Sequence, residues 1–179
     1  MREFLKSKFP ELNDIKDAKL RESVLDVMVE AVELSGFKKE ELESVPFTLL
    51  IPGTPVGLIH HIRAVTDTAL RAADSMTQFF GDRIPINRDY LIAGGLLHDI
   101  GKFSEYKNEA GKFGKSEFGK LVRHPFSGAG LAMKHGLPAE IVHLIATHAG
   151  EGDKGYRSPM SVILHHADFI NFEALGGKI

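Results

Sequence analysis

The stretch that decides how this chain folds and what it does lies near its middle and reads Leu96-Leu97-His98-Asp99-Ile100-Gly101-Lys102. An imidazole and a carboxylate stand side by side here, directly after an apolar run. Ionisable groups in such a position cost free energy unless another group satisfies them. Other residues along the chain form one ordered set with this pair: His61, His124, His148 and Asp168.

The composition is that of an ordinary globular domain. The chain has 179 residues, of which 43% are hydrophobic and 26% charged, close to the average for soluble domains. Because 22 Lys and Arg face 24 Asp and Glu, the net charge is −2, which argues against a surface devoted to binding nucleic acid. The chain contains no cysteine, so a metal site would have to use imidazole and carboxylate ligands.

The N-terminal residues and the hydropathy pattern predict a cytoplasmic protein with no membrane partner. Residues 1–8 carry charges throughout and lack the apolar centre of a signal peptide. Apolar stretches elsewhere are short and interrupted by Pro or Gly, well below the ~20 residues of a membrane span.

Apolar spacing predicts an all-α fold. Between Asp14 and Ser35, apolar residues recur every three or four positions, as on one face of a helix. Further helices are predicted, with ends set by Gly, Pro or an N-capping Asn87, over 56–80, 88–99, 125–135, 138–148 and 160–175. No segment alternates convincingly between apolar and polar residues, so no strand is predicted.

We therefore expect a bundle of about six or seven helices, forming a single domain over residues 1–179. Residues 101–121 are predicted to form a loop or lid. The stretch 101–124 contains six Lys or Arg and three Asp or Glu, a charge that favours phosphate-bearing substrates.

The candidate metal ligands fall where predicted helices start or end, so side chains from several helices could converge on one cleft. Four imidazoles and two carboxylates are enough to complete the protein ligands of two ions. A single histidine among the nine present is more often a packing or surface residue. The prediction therefore rests on the ordered set and not on any one member.

The ordered set resembles the HD-domain superfamily of metal-dependent phosphohydrolases, over about residues 56–175. The resemblance implies a helical bundle with a metal site in a central cleft, in which residues 56–175 would form the core and residues 1–55 a helical extension packed on it. The turn His98-Asp99-Ile-Gly-Lys102 and the helix start His124-Pro125 are similar to those of the ribonuclease Y HD domain and of HD-GYP phosphodiesterases. Arg157 stands where the Gly-Tyr-Pro signature has proline, which disfavours a cyclic dinucleotide as substrate.

The resemblance implies a role for each residue of the set. His61, His98, Asp99 and Asp168 would hold a first metal, and Asp99 would bridge to a second metal held by His124 and His148. The ions would be divalent, with Mn or Fe favoured and Mg, Co, Ni or Zn as alternatives. Asp99 and Lys102 would be the catalytic residues, with Lys102 contacting the substrate phosphate. Substrate contacts are also predicted for His60 and His165.

The predicted function is that of a phosphomonoesterase or phosphodiesterase that uses a metal-activated water on a small nucleotide-like phosphoester. Nucleic acid is expected only as a substrate, and the sequence does not predict an oligomeric state. Two alternatives remain open. One is a di-iron oxygenase with the same ligand set, and the other is a non-catalytic module that binds a nucleotide for regulation.

Overall fold

Helices dominate the computed structural model, which describes residues 1–178, and the predicted all-α class is confirmed. The α-helices are α1 (Arg2–Lys8), α2 (Ala18–Ser35), α3 (Leu58–Phe80), α4 (Arg88–Leu97), α5 (Lys102–Glu105), α6 (Glu117–Leu121), α7 (His124–Lys134), α8 (Ala139–Thr147) and α9 (Pro159–Ala174). Short 3-10 turns lie at Pro10–Asp14, Lys39–Glu41, Gly81–Arg83 and Gly150–Gly152. Within residues 1–178 there are nine α-helices and not six or seven, since α1 and the short helices α5 and α6 were not predicted.

Capping residues explain several helix boundaries. Asp17 accepts hydrogen bonds from the backbone N–H groups of the first turn of α2, and Gly36 ends that helix with a φ of 71°. Asn87 caps α4 as predicted, by accepting from the N–H of Tyr90. The same helix ends at Leu97, two residues before the predicted end.

The prediction that residues 101–121 form a loop without strands is wrong. This segment folds as α5, the strands β1 (Tyr106–Glu109) and β2 (Lys112–Lys115), and α6. The strands pair antiparallel, with Tyr106 opposite Lys115. Both faces carry charged or polar residues and only Tyr106 is buried, so the apolar alternation that predicts a strand is missing.

Close helix packing places the end of α4 at the centre of the fold. A Cβ atom on Gly94 would lie 2.4 Å from the side chain of Leu144, and one on Gly95 would lie 2.7 Å from Thr66 Oγ1. Only glycine therefore lets α4 approach α8 on one side and α3 on the other. The turn that follows α4, with His98 and Asp99, is thereby held between these helices.

The N-terminal helices share a hydrophobic cluster with the helices that carry the candidate ligands. Leu5 of α1 and Met28 of α2 are buried in the same cluster as Ile62 of α3 and Leu96 of α4. That α1 and α2 form an extension of one domain remains a prediction. Among residues 1–178, no helix is both long enough and apolar enough to cross a membrane.

Candidate metal centre

All six predicted metal ligands meet in one cleft. The first turn of α3 supplies His61, the turn after α4 supplies His98 and Asp99, and α9 supplies Asp168. His124 is the first residue of α7, and His148 follows the last residue of α8. The four histidines and Asp99 are buried, and only 14% of the Asp168 side chain is exposed.

The two carboxylate oxygens of Asp99 face two different groups of side chains. Asp99 Oδ2 lies 3.3 Å from His61 Nε2 and 3.5 Å from His98 Nε2. Asp168 Oδ1 joins this side, 3.0 Å from His61 Nε2. We call His61, His98 and Asp168 the His61 group.

The second side is formed by His124 and His148, which we call the His124 group. Asp99 Oδ1 lies 3.2 Å from His124 Nε2 and 3.6 Å from His148 Nε2. The atoms of each histidine pair and Asp99 lie close enough together to hold one ion. Asp99 belongs to both sets, as a bridging carboxylate would.

Hydrogen bonds to Nδ1 direct the Nε2 atoms of three of these histidines into the cleft. His98 Nδ1 donates to the carbonyl of Gly95 and His148 Nδ1 donates to that of Ile145, each over 2.7 Å. His124 Nδ1 donates to Glu105 Oε2 over 2.8 Å. Because Nδ1 carries the hydrogen, each Nε2 presents a lone pair to the cleft, which is the form that binds a metal.

Several polar atoms of the cleft are buried without a hydrogen-bond partner among the described residues. They are both ring nitrogens of His61, His98 Nε2 and Asp99 Oδ1. In addition, His124 Nε2 and His148 Nε2 lie 3.3 Å apart, so two lone pairs and a carboxylate oxygen face one another. Unsatisfied buried groups cost ~1–3 kcal/mol each, and a cation between them would remove that cost. The donor set is therefore compatible with divalent metal binding.

Charges within the cleft shift the pKa values of the two aspartates. Burial would raise the pKa of Asp99, but Lys102 and His98 outweigh burial and hold that pKa well below its ordinary value. The pKa of Asp168 is likewise lowered against the effect of burial, chiefly by the His61 imidazole beside it. Both carboxylates are thus ionised at neutral pH and available to a cation.

Glu105 is a site residue that the sequence did not reveal. It is almost fully buried on α5, and its Oε2 accepts from both the ring Nδ1 and the backbone N–H of His124, each at 2.8 Å. Its Oε1 accepts from Arg123 over 2.6 Å. Because residues 101–121 were predicted to be a loop, and the partners are 19 positions apart, no spacing signal linked Glu105 to His124.

Burial and the charges of neighbouring groups shift the pKa values of Glu105 and His124. Burial would raise the pKa of Glu105, but His124 and Arg123 lower it to about 2. Burial lowers the pKa of His124 to about 4. At pH 7 the pair is therefore a carboxylate and a neutral imidazole, the arrangement in which an outer carboxylate orients a metal-binding histidine.

Lys102 lies beside the two groups and borders the cavity above them. Its buried ammonium group donates to Asp99 Oδ2 over 2.7 Å and to the carbonyl of Phe47 over 2.6 Å. Burial would lower the pKa of Lys102, but Asp99 outweighs it and raises the pKa. A permanent positive charge therefore stands next to the proposed bridging carboxylate.

The structure does not bring His60 into the cleft. His60 is exposed and borders a separate cavity together with Lys8 and Arg63. Successive residues of a helix point about 100° apart, so with His61 facing the core His60 faces outward. The prediction of substrate binding by His60 is wrong for this cleft.

His165 lies behind His148 and does not face the two groups directly. Its Nδ1 donates to the carbonyl of His148 over 2.6 Å, and its ring packs 4.4 Å from that of Phe169. Burial lowers the pKa of His165. His165 therefore contacts His148 and Phe169. Substrate binding by His165 stays a prediction.

A cavity of about 600 Å³ opens above the cleft. Its floor includes His61, His124 and Asp168. Its walls come from residues 47–50, from the hairpin formed by β1 and β2, and from α9. Ligand sites of this size take small molecules of the size of a nucleotide.

Comparison with known proteins agrees with this geometry. The HD domain family model matches residues 58–170, a range that contains all six converging side chains. The chain therefore belongs to the HD domain family. No solved structure matches the chain.

Two kinds of curated relatives are similar to the chain. A dihydroneopterin 2',3'-cyclic phosphate phosphodiesterase from Methanocaldococcus jannaschii is 38% identical over 116 residues, which cover 63% of this chain and 45% of the relative. Ribonuclease Y from Thermotoga petrophila and from Thermotoga maritima is 28% identical over 100 residues, covering 56% of this chain and 17% of each relative. The chain thus spans less than half the length of these relatives.

Proposed function

We propose that this protein is a metal-dependent phosphohydrolase that cleaves a small nucleotide-like phosphoester. The observation that carries the proposal is Asp99, whose two oxygens each face a separate pair of buried imidazoles. Membership of the HD domain family supports it. The phosphodiesterase from Methanocaldococcus jannaschii acts by its name on a cyclic phosphate, so hydrolysis of a phosphodiester is the first reaction to test.

In this proposal the His61 group and Asp99 hold one divalent ion, and the His124 group and Asp99 hold another. Manganese or iron are the first candidates, and Mg, Co, Ni or Zn the alternatives. When bound, two such ions supply a hydroxide nucleophile at neutral pH and stabilise negative charge on the phosphoryl oxygens.

The side chains of the protein hold this arrangement and bind the phosphate. Glu105 keeps the hydrogen of His124 on Nδ1, so that Nε2 stays free. Lys102 places a positive charge at the edge of the cavity, 2.7 Å from Asp99 Oδ2, where it can also donate to a phosphate oxygen as a point charge.

The proposal is tested by metal analysis followed by a hydrolysis screen. The protein is loaded with Mn²⁺ under anaerobic conditions, its metal content is measured, and release of product is followed for nucleotides, nucleoside 2',3'-cyclic phosphates and short RNA. We expect hydrolysis of at least one small ester and its loss in the Asp99→Asn variant. Product formation that requires oxygen would support the oxygenase, and nucleotide binding without turnover of any ester would support the regulatory module.

A further inference from the structure

The cavity above the cleft has two chemically different walls. One wall is apolar and is built from Leu49 and Leu50, which precede α3, together with Phe169 and Phe172 of α9. Both rings are half-buried and Leu50 is 73% exposed. These side chains therefore retain apolar surface that a ligand in the cavity could cover.

The apolar wall adjoins the His61 group. The ring of Phe47 lies 4.6 Å from that of His61, and the ring of Phe172 meets Phe47 edge-on at 6.4 Å. Phe172 also follows Asp168 by one helical turn. A ligand bound against this wall would thus lie directly beside the side chains proposed to hold one of the ions.

The opposite wall is charged and adjoins the His124 group. Lys115 and Arg123 border the cavity there, together with Glu105 and Glu151. Arg123 is bound to both carboxylates, and Lys115 Nζ lies 3.5 Å from that of Glu105. These ionic groups suit the polar, phosphate-bearing part of a ligand and not a second apolar group.

From these two walls we infer that the cavity binds a phosphoester carrying a flat heterocyclic ring, with the ring against Phe169 and Phe172 and the phosphate beside Lys102 and the charged wall. The inference rests on the proposed function and specifies its substrate class as a mononucleotide-sized ester. Flat rings gain from burial and from offset or edge-on contact with phenylalanine. A cavity of about 600 Å³ fits one such molecule.

Most of the apolar wall lies outside the part of the chain that defines the family. The family model ends at residue 170 and begins at residue 58, so Phe172 and residues 47–50 fall beyond it. The HD domain match therefore does not cover most of this wall.

The test compares two cyclic phosphodiesters that share the reacting group and differ in the ring. Guanosine 2',3'-cyclic phosphate carries a base, and glycerol 1,2-cyclic phosphate does not. We measure kcat/KM for both with Mn²⁺-loaded wild type, Phe169→Ala, Phe172→Leu and Phe172→Tyr. Phe79→Ala is the matched control, because Phe79 is 72% exposed near the end of α3, away from the cavity.

We expect wild type to prefer the guanosine ester by at least about tenfold, as one aromatic contact to a base allows. Phe169→Ala and Phe172→Leu should reduce that preference about tenfold or abolish it, while Phe172→Tyr and Phe79→Ala retain it. A preference near one in wild type, or one unchanged in both Phe169→Ala and Phe172→Leu, overturns the inference. Thermal unfolding of each variant identifies any loss that comes from misfolding.

Binding measurements distinguish failure of the ring subsite from failure of the proposed function. If no ester of the wider screen is hydrolysed, the phosphohydrolase proposal fails. Calorimetric binding of guanosine 3'-monophosphate and glycerol phosphate tests the subsite in that case too. Tighter binding of the guanosine ligand that weakens in Phe169→Ala supports the subsite. Equal binding of the two ligands overturns it.

Discussion

The two halves of the cleft are held in place in different ways. In the His124 group, both imidazoles are fixed through Nδ1, by Glu105 and by the carbonyl of Ile145. In the His61 group, the His61 ring has no hydrogen-bond partner for either nitrogen within residues 1–178. The protein therefore preorganises one half by itself, whereas the other half depends more on what binds between its side chains.

The charges around His61 also indicate that the His61 group depends on a bound cation. Burial opposes protonation of His61, but Asp168 and Asp99 outweigh burial and raise its pKa. The surroundings of His61 thus favour a positive charge, which a bound cation would supply in place of a proton. In the His124 group, burial instead lowers the pKa of His124 to about 4, so its ring is already neutral.

The substitution with the largest expected effect is Asp99→Asn, which breaks both halves at once. The amide keeps the shape of the side chain but removes the negative charge shared by the two groups. We expect hydrolysis to fall at least about 10³-fold and the metal content to fall in both halves. Elemental analysis beside the rate measurement checks this, and full metal content in the variant would contradict the bridging role.

The next largest effects are expected from His61→Gln and His124→Gln, which break one half each. Each variant should lose one ion and about 10²–10³-fold in rate. Their effects on the metal-free protein should differ. His124→Gln leaves the buried Glu105 without its imidazole partner and should lower the free energy of unfolding by about 1–3 kcal/mol, whereas His61→Gln breaks no hydrogen bond.

Chemical denaturation of both metal-free variants measures this difference. Equal losses of stability would mean that the two halves are held equally well by the protein. That result would contradict the stronger preorganisation of the His124 group, whatever the metal content of the variants.

A smaller effect is expected from Glu105→Gln, which loosens the His124 group without removing a ligand. Loss of an outer carboxylate typically weakens metal binding ~10–100-fold. We expect this loss for one ion and unchanged affinity for the other, measured by titration with Mn²⁺. Weakening of both ions to the same extent would show that Glu105 acts on the fold and not on His124.

Glu105 also predicts a pH dependence for the stability of the metal-free protein. Its pKa in the folded protein is about 2, below the ordinary value of 4.5. The contribution of its ionised form to folding is therefore complete above pH 4.5 and is lost as the pH falls toward 2. Denaturation curves between pH 2 and 6 should be flatter for Glu105→Gln than for wild type, and parallel curves would refute the assignment.

The sequence was sufficient to predict much of the site because most of its members lie at helix ends, with Asp168 in the interior of α9 as the exception. Gly and Pro mark those ends, and the residues that meet in the cleft lie close to them, as His98, His124 and His148 show. Gly101 stands where a glycine is expected to end the predicted helix over 88–99, but the structure requires glycine there for another reason. Its φ is −64°, and a Cβ atom there would lie 2.3 Å from the His124 carbonyl oxygen.

The features that the sequence did not predict depend on contacts between distant segments. The hairpin has no apolar alternation, and Glu105 is recognised only when α5 packs against the start of α7. His60 and His61 are adjacent in sequence, so tertiary packing decides which of the two faces the core. Periodicity describes one element at a time and carries no information on such pairings.

The smallest predicted effect concerns Lys115, the weaker of the two cationic partners of Glu105. Its ammonium group lies 3.5 Å from Glu105 and its side chain is 42% exposed, whereas Arg123 donates over 2.6 Å to the same oxygen. Exposed pairs of this kind contribute ~0–1 kcal/mol, so Lys115→Ala should weaken Mn²⁺ binding less than about fivefold. A loss as large as that in Glu105→Gln would mean that the hairpin, and not Glu105 with Arg123, holds the His124 group in place.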